Sequence, residues 1–590
     1  MVIRDPVCGM PLEPESAPYT AEVRGGIYYF SSKLCRDTFL EGARIAYFSM
    51  EIGIESGIPT YSGGLGVLAG DVIKSSADLL LPMVAVTLVN RRGYVRQQLT
   101  PAGEQIDLPD EWNPAEHLRE LPERVTVRIE ERDVAVRAWL HDYWSPVGGL
   151  VPVLFLDTDL EENAPEDRGI TDYLYGGDQE YKLKQSIVLG IGGVRMLEAV
   201  GFRISKYHIN ESHSSLLTLE LLKHRDMDEE KVRTRCIFTT HTPVQVAFET
   251  FPREMSVPLL RSEIPPVLMD RYVETDGLSL TTLAFDLSKF VNGVSPAHKN
   301  YSQQLFPGFH IRAVTNGVHP HTWTSRPFRS LFDQYIPGWA HEPELLVRVD
   351  EIPHEDIRHA HQRAKQILIE YISRVTNVEM DDGVLTIGFA RRAAAYKRAT
   401  LIFSDLDKIR EINRRGAFQL VFAGKAHPAD QVGKQEIRQI HEYIRQLDGD
   451  VKVVYLENYS MDMAAIMTAG SDVWLNTPLP PYEASGTSGM KAALNGAINF
   501  SVLDGWWIEG WIEGTTGWAI GPGPDEQISD DERRRRELQD LYSKLQYLII
   551  PTYYHKTDEW ATIMRSSIAK IAYYFNTHRM MRRYASEAYL

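Results

Sequence analysis

From about residue 44 onward, apolar runs of strand length recur, each closed by a polar tail: "RIAYFSMEIG", "VPVLFLDTD", "KYHINESHSS", "RCIFTTHTPV", "FVNGVSP" and "IRAVTNGVHP". Longer helix-compatible stretches such as "EYKLKQSIVLGIGGVRMLEAVG" separate several of them. Continuously apolar strands alternating with helices predict a parallel sheet covered on both faces. The pattern returns after about residue 326 in "VLTIGFARR", "FQLVFAGKAHP", "VKVVYLENYS", "DVWLNTPLPP" and "AINFSVLDGWW", with "DQVGKQEIRQIHEYIRQL" among the connecting helices. This predicts an α/β chain with two doubly wound domains, over 44–325 and 326–555, and closing helices over 556–590. Residues 1–43, short, aromatic and cysteine-bearing, read as a separate small module.

Ligands of open parallel sheets sit outside the carboxyl ends of the strands, where these polar tails fall. Two such domains facing each other would gather "NESH", "THTP", "TNGVHP", "ARR", "ENY" and "EASGTSGMK" around one cleft.

Composition narrows the picture. Of 590 residues, 43% are hydrophobic and 24% charged, as in soluble globular chains, and the length suggests about three to four domains. A net charge of -17 argues against a nucleic-acid partner or an anionic membrane surface. A small anion could still bind, given a deliberate cluster of Lys and Arg. Three cysteines, Cys8, Cys35 and Cys236, are too few for a disulfide framework. The N-terminus has no apolar signal-like core, and "LLLPMVAVTLV", broken by Pro82, is about half the length of a membrane span. The expected compartment is a reducing cytoplasm.

Five stretches carry candidate chemistry. In "EASGTSGMK", residues 483–491, small residues and glycines ahead of a helix free backbone N–H groups to face a phosphate, and Lys491 could form a Schiff base if its surroundings hold it neutral. The same stretch also reads as a solvated lysine on a glycine-rich turn. "ARRAAAYKR" concentrates Arg391, Arg392, Lys397 and Arg398 at a strand end, either as an oxyanion cradle or as a solvated charge run. "YSGGLGVLAGD", residues 61–71, would let backbone approach a ligand closely, or is a structural turn. His213 and His241 follow strand-like runs and either reach the cleft or serve the core. No zinc-type constellation, nucleophile elbow or Walker loop occurs in the main body.

"TNGVHPHTW", "GKAHP", "YLENY", "EASGTSGMKAALNGA" and "LDG", in that order, make the chain resemble the α-glucan phosphorylases from about residue 44 to its end, in particular the short prokaryotic glycogen/maltodextrin type. The resemblance implies two Rossmann-like domains of the glycosyltransferase B architecture, with pyridoxal 5'-phosphate carried on Lys491 in the cleft between them. The cofactor's phosphate, not its ring, would take part in the chemistry.

By the same resemblance Gly63, Gly64 and Leu65 lie beside the phosphates, and Thr487, Ser488 and Gly489 near the cofactor phosphate. Arg392 and Lys397 match phosphate-binding positions, with Arg391 where a lysine is common. Tyr459 and Glu483 lie near the cofactor and the glucosyl unit. His241, Asn316, Glu483, Ser485 and Gly486 match glucose-binding positions, and Glu211 and His213 fall near the acceptor sugar.

The implied reaction is reversible phosphorolysis of an α-1,4-glucan (glycogen, starch or maltodextrin) by orthophosphate. It gives α-D-glucose 1-phosphate with retained configuration and requires no metal; a homodimer is also implied. Two departures stand out: Ala394 replaces a histidine and Gly489 an asparagine of the larger animal enzymes. The short stretch before "RIAYFSME" leaves little room for those enzymes' N-terminal regulatory segment, so no comparable phosphorylation control is expected.

"DPVCGM" followed by "GGIYYFSSKLC" resembles a YHS domain, a small module often linked to metal binding. Ser31 stands where a thiol is expected, leaving Cys8 and Cys35, and two thiolates make an incomplete tetrahedral site. The expectation is a structural or weakly metal-binding module. Two other functions compete with the phosphorylase reading. A nucleotide-sugar glucosyltransferase of the glycogen synthase type carries an E-x7-E stretch, but here Lys491 stands eight positions after Glu483 in place of the second carboxylate. A metal-responsive binding protein with a degenerate glucan-binding body would be expected to have lost some of Lys491, Arg392, Lys397 or Glu483, and all four are present.

Overall fold

The computed structural model describes residues 3–241, 243, 248 and 250–590. Its larger sheet has nine strands, in the spatial order Arg312–Ala313, Phe290–Gly293, Cys236–Thr239, Lys206–Asn210, Ile45–Ser49, Met83–Leu88, Leu150–Asp157, Arg132–Trp144 and Arg119–Ile129. The first seven pair in parallel. The last two, however, pair antiparallel, so the sheet is mixed rather than wholly parallel. The difference is local: Arg119–Ile129 largely alternates its buried positions with more exposed ones, the pattern of a ribbon with one face on the core. Ile45–Ser49 is buried at every position, as a central strand covered on both faces must be.

The second sheet is parallel throughout, in the order Val453–Leu456, Phe418–Ala423, Leu385–Ala390, Val473–Asn476, Ile498–Val502 and Gly517–Ile520. Numbered along the chain this is 3-2-1-4-5-6, with the order reversing between Leu385–Ala390 and Val473–Asn476. The large sheet reverses in the same way between Ile45–Ser49 and Lys206–Asn210. Adjacent strands whose connections leave toward opposite sides open a crevice at their carboxyl ends. Each lobe therefore has one such crevice.

Three features tie the lobes together. The closing helix Thr577–Tyr584 runs back to the first lobe, where Met580, Met581 and Tyr584 share a core with Ile45, Val72 and Phe155. His319 and His578, both fully buried, donate to the same oxygen of Asp78 at 2.7 and 2.8 Å. Finally, a hairpin of Arg96–Leu99 and Gln105–Leu108 reaches from the first lobe onto the second.

The first residues fold into two short antiparallel ladders and the helix Lys33–Glu41 around Tyr28, Phe30 and Cys35. Tyr28 Oη donates to Asp142 Oδ2 at 2.6 Å, seating this module on the first lobe. Among the described residues no helix is long and apolar enough to cross a membrane.

Candidate active site

The two crevices face each other across a cavity of about 390 Å³. The segment after Leu385–Ala390 brings Arg391, Arg392 and Lys397 to its wall, and the segment after Val473–Asn476 brings Glu483 through Ser488 and Lys491. Tyr459 lines it from the turn after Val453–Leu456. The first lobe contributes Gly63, Gly64 and Leu65 after Ile45–Ser49, then Glu211, His213 and His241, and finally Asn316.

Lys491 stands on the six-residue helix Ser488–Ala493, only 6% exposed, with its Nζ 3.8 Å above the centre of the Trp323 ring. Trp323 is held by its indole N–H, which donates to both oxygens of Asp71 at 3.0 and 2.8 Å. Burial pushes the Lys491 amine down to about 8; Asp71 opposes the shift and the Lys74 ammonium adds to it. A substantial fraction of this amine is thus neutral near pH 8, the state a nucleophilic lysine requires.

Arg391 Nη2 and Lys397 Nζ both donate to Glu483 Oε2, Lys397 at 2.5 Å. Burial alone would raise the Glu483 carboxyl, but these two cations hold it down at about 2. Arg392 faces the open cleft with no hydrogen-bond partner among the described residues; Arg391 Nη1 is buried and also unpartnered. Arg391, Arg392, Lys397 and Lys425 outnumber the Glu483 and Glu51 carboxylates that line the cleft with them, so this end is positive within a chain of net charge -17. Such a cluster suits an oxyanion.

The Glu483 strap is held through its backbone. Asp504 Oδ2 accepts from Glu483 N at 2.9 Å, Trp506 N donates to Ser485 O at 2.9 Å, and from the other lobe Ser295 Oγ donates to Ala484 O at 2.6 Å. Gly486 has φ +78°, a conformation that disfavours any side chain, and so turns the strap toward the cleft.

On the facing wall the helix Gly64–Asp78 begins at the cavity. A Cβ built on Gly63 or Gly64 meets nothing within 4 Å, whereas one on Gly66 would lie 2.6 Å from Glu51 Oε2 and one on Gly70 would lie 1.9 Å from Gly53 O. The first pair leaves room at the cleft; the second lets the helix lie flush on its neighbour. Glu51 fixes the loop by accepting from Ser62 N at 2.6 Å and Gly63 N at 3.3 Å, and from Tyr175 Oη at 3.0 Å.

His241 Nε2–H donates to Asn210 Oδ1 at 2.7 Å. Burial pushes its imidazole down to about 3, so it is neutral near pH 7. Its backbone N–H donates to Glu211 Oε2 at 2.8 Å. Glu211 itself has φ +65° and ψ 163°, a region almost reserved for glycine, so strain is stored at the cleft. His213 Nδ1 and Asn316 Oδ1 are buried without partners among the described residues. Polar atoms left this way beside a cavity are those a polar ligand would satisfy.

Gly489 does not line the cavity. A Cβ there would lie 2.2 Å from Asn499 Oδ1, so this glycine seats the Lys491 helix on its neighbouring strand. Cys8 and Cys35 lie in the N-terminal module, away from the cleft, where they converge with Asp5 around the Ser31 hydroxyl. Sequence reasoning missed Glu51, Tyr175, Trp323 and Asp504. Trp323 and Asp504 fall inside quoted motifs and Glu51 in a strand tail, so their positions carried a signal; Tyr175 carried none.

A family model of carbohydrate phosphorylases matches residues 267–517. The chain is 38% identical over 593 residues to the maltodextrin phosphorylase of Thermococcus litoralis, covering 92% of this chain and 70% of the relative. It is 34% identical over 603 residues to the glycogen phosphorylase of Aquifex aeolicus, covering 92% and 86%. Against the glycogen phosphorylase of Mycobacterium tuberculosis it is 35% identical over 614 residues, covering 92% and 70%. The chain belongs to the carbohydrate phosphorylase family.

Proposed function

We propose that the protein is an α-1,4-glucan phosphorylase that converts the non-reducing-end glucose of glycogen or maltodextrin and orthophosphate into α-D-glucose 1-phosphate, reversibly and with retention, using pyridoxal 5'-phosphate held by Lys491. The observation that carries this reading is the pairing of two features in one cleft: a buried lysine whose amine is pushed to about 8, and a cluster of Arg391, Arg392 and Lys397 around Glu483. The relatives' names point the same way.

The residues present fit the cofactor. Lys491 Nζ makes no hydrogen bond among the described residues, and the loop at Gly63 and Gly64 leaves open space where side chains would stand. When bound, pyridoxal phosphate supplies a second phosphate group able to exchange a proton with the substrate anion. Arg392 and Lys397 bind orthophosphate and offset the repulsion between two neighbouring anions. Arg391 and Lys397 share their charge between Glu483 and that anion.

Neutral His241, Asn316 Oδ1 and the Ser485–Gly486 backbone orient the sugar, with Glu211 and His213 on the acceptor side. A proton passes from orthophosphate to the glycosidic oxygen as the bond from C1 to that oxygen breaks. A phosphate oxygen then bonds to C1 on the same face, so one glucosyl unit leaves the glucan as its 1-phosphate. The nucleotide-sugar reading is not adopted, because Lys491 occupies the position of that class's second carboxylate.

For the N-terminal module we propose a YHS-like domain with a structural role. Asp5 already accepts from Val7 N, Cys8 N, Ser31 N and Ser31 Oγ, which leaves its carboxylate little capacity for a cation. Titration with Co(II) is expected to show no thiolate charge-transfer band at micromolar metal.

The main reading is tested by absorbance and fluorescence of the purified protein before and after borohydride reduction, with peptide mapping. A pyridoxyl label on Lys491 is expected. A folded protein that takes no label after incubation with added pyridoxal phosphate would overturn the reading.

A further inference from the structure

The anion-binding arginines do not stand on their own lobe alone. Arg391 N donates to Ala423 O at 3.2 Å and Ala393 N to Lys425 O at 2.9 Å, so the arginine segment is laddered onto the turn 423–426. The fit is close: a Cβ on Gly424 would lie 2.1 Å from Arg391 O. Wherever this turn sits, Arg391 and Arg392 follow.

The turn is in turn held by two amides from the other lobe. Gln97, 1% exposed, donates through Nε2 to Gly424 O at 2.9 Å and to Gln105 Oε1 at 2.8 Å. Its Oε1 accepts from Asn458 N at 2.9 Å, and its own N–H donates to Asn458 Oδ1 at 3.1 Å. Gln105 brackets Ala426, accepting from its N–H at 3.0 Å and donating to its carbonyl at 2.9 Å. All four hydrogens of the two side-chain amides have acceptors, the second of Gln105 going to Asp107 Oδ1 at 2.7 Å, and Gln105 Oε1 accepts from both Gln97 and Ala426, so flipping either amide would set like groups against each other. A hairpin of the first lobe therefore reads the backbone of the second.

We propose that Gln97 is a positioning residue: across the cleft it fixes the turn on which the Arg391–Ala393 segment is laddered, and so sets the geometry of the anion-binding arginines. Its kinetic consequence rests on the phosphorolysis reading; its positional consequence rests on geometry alone. In Gln97→Glu a carboxylate oxygen faces Gly424 O and Gln105 Oε1, so two attractive interactions become repulsive. Breaking a buried hydrogen bond in this way weakens the affected step by about tenfold. The effect should fall on orthophosphate, which the arginines bind, rather than on the glucan.

The test combines steady-state kinetics with hydrogen exchange of the intact protein, using Gln97→Glu, with Gln97→Met as a donor-free variant of similar size and the exposed neighbour Gln98→Ala as control. The expected result is a KM for orthophosphate raised about tenfold with little change in the KM for maltodextrin, and faster exchange in peptides spanning 391–398. Gln98→Ala should behave as wild type. If Gln97→Glu does not fold, Gln97→Met carries the same comparison. Equal shifts in both KM values, or no shift with unchanged exchange, would overturn the proposal. If the wild type shows no phosphorolysis, the functional reading fails and exchange alone decides: acceleration at 391–398 supports the positioning role, and its absence refutes it.

Discussion

At the scale of single residues, the cleft works by controlling which groups carry charge. Lys491 loses water's support for its proton by burial against Trp323. Because only the neutral amine attacks an aldehyde, labelling of Lys491 in cofactor-free protein should rise with pH around a midpoint near 8 rather than above 10. A midpoint above 10 in mapped label would contradict the burial argument. Glu483 is the opposite case. Its folded value of about 2 lies below the ordinary value of 4.5, so its pairing contributes stability above about 4.5 that is lost as pH falls toward 2. Any loss of activity on acidification above about pH 4.5 should therefore not come from protonation of Glu483. Replacing Arg392 by Ala, which removes one positive group facing the cleft, should lower kcat/KM for orthophosphate by about 10²–10³. A fall below threefold would remove this residue from the anion site.

At the scale of elements, one helix makes two opposite predictions. Gly70→Ala forces a methyl onto Gly53 O and should destabilise the fold by about 1–3 kcal/mol, measured by denaturant midpoint. Gly63→Ala meets open space and has φ −170°, which any residue adopts, so the fold should be unchanged while substrate binding weakens. The contrast also shows what the sequence could and could not carry. Strands such as Ile45–Ser49 and Leu385–Ala390 were legible because burial on both faces writes a continuous apolar run, and their polar tails marked the cleft. The ribbon 119–144 was not, since an alternating strand looks much like other half-exposed segments and its pairing is set by the partner. Glycine roles were equally hidden: Gly63, Gly66 and Gly70 look alike in sequence and differ only in what stands opposite. The grip of Gln97 on Gly424, over three hundred residues away in the chain, leaves no local pattern at all.

At the scale of the whole molecule, two doubly wound lobes set their topological switch points face to face, and buried contacts hold them so. Asp78 joins the first lobe to the closing helix through His578, with His319 and Ser145 on its remaining contacts. Removing one partner of a buried charge is costly, so His578→Ala should destabilise the protein by about 3 kcal/mol or more, measured by denaturant unfolding. An effect within about 0.5 kcal/mol, the size of an ordinary surface change, would show that the junction is not a structural tie. Transfer of a glucosyl unit to orthophosphate in the cleft is observable by phosphorus NMR of protein loaded with pyridoxal phosphate and given maltodextrin and orthophosphate. A growing α-glucose 1-phosphate signal that depends on both substrates and is lost in Lys491→Ala is expected. Release of free glucose with orthophosphate unchanged, or no turnover by the loaded protein, would contradict it.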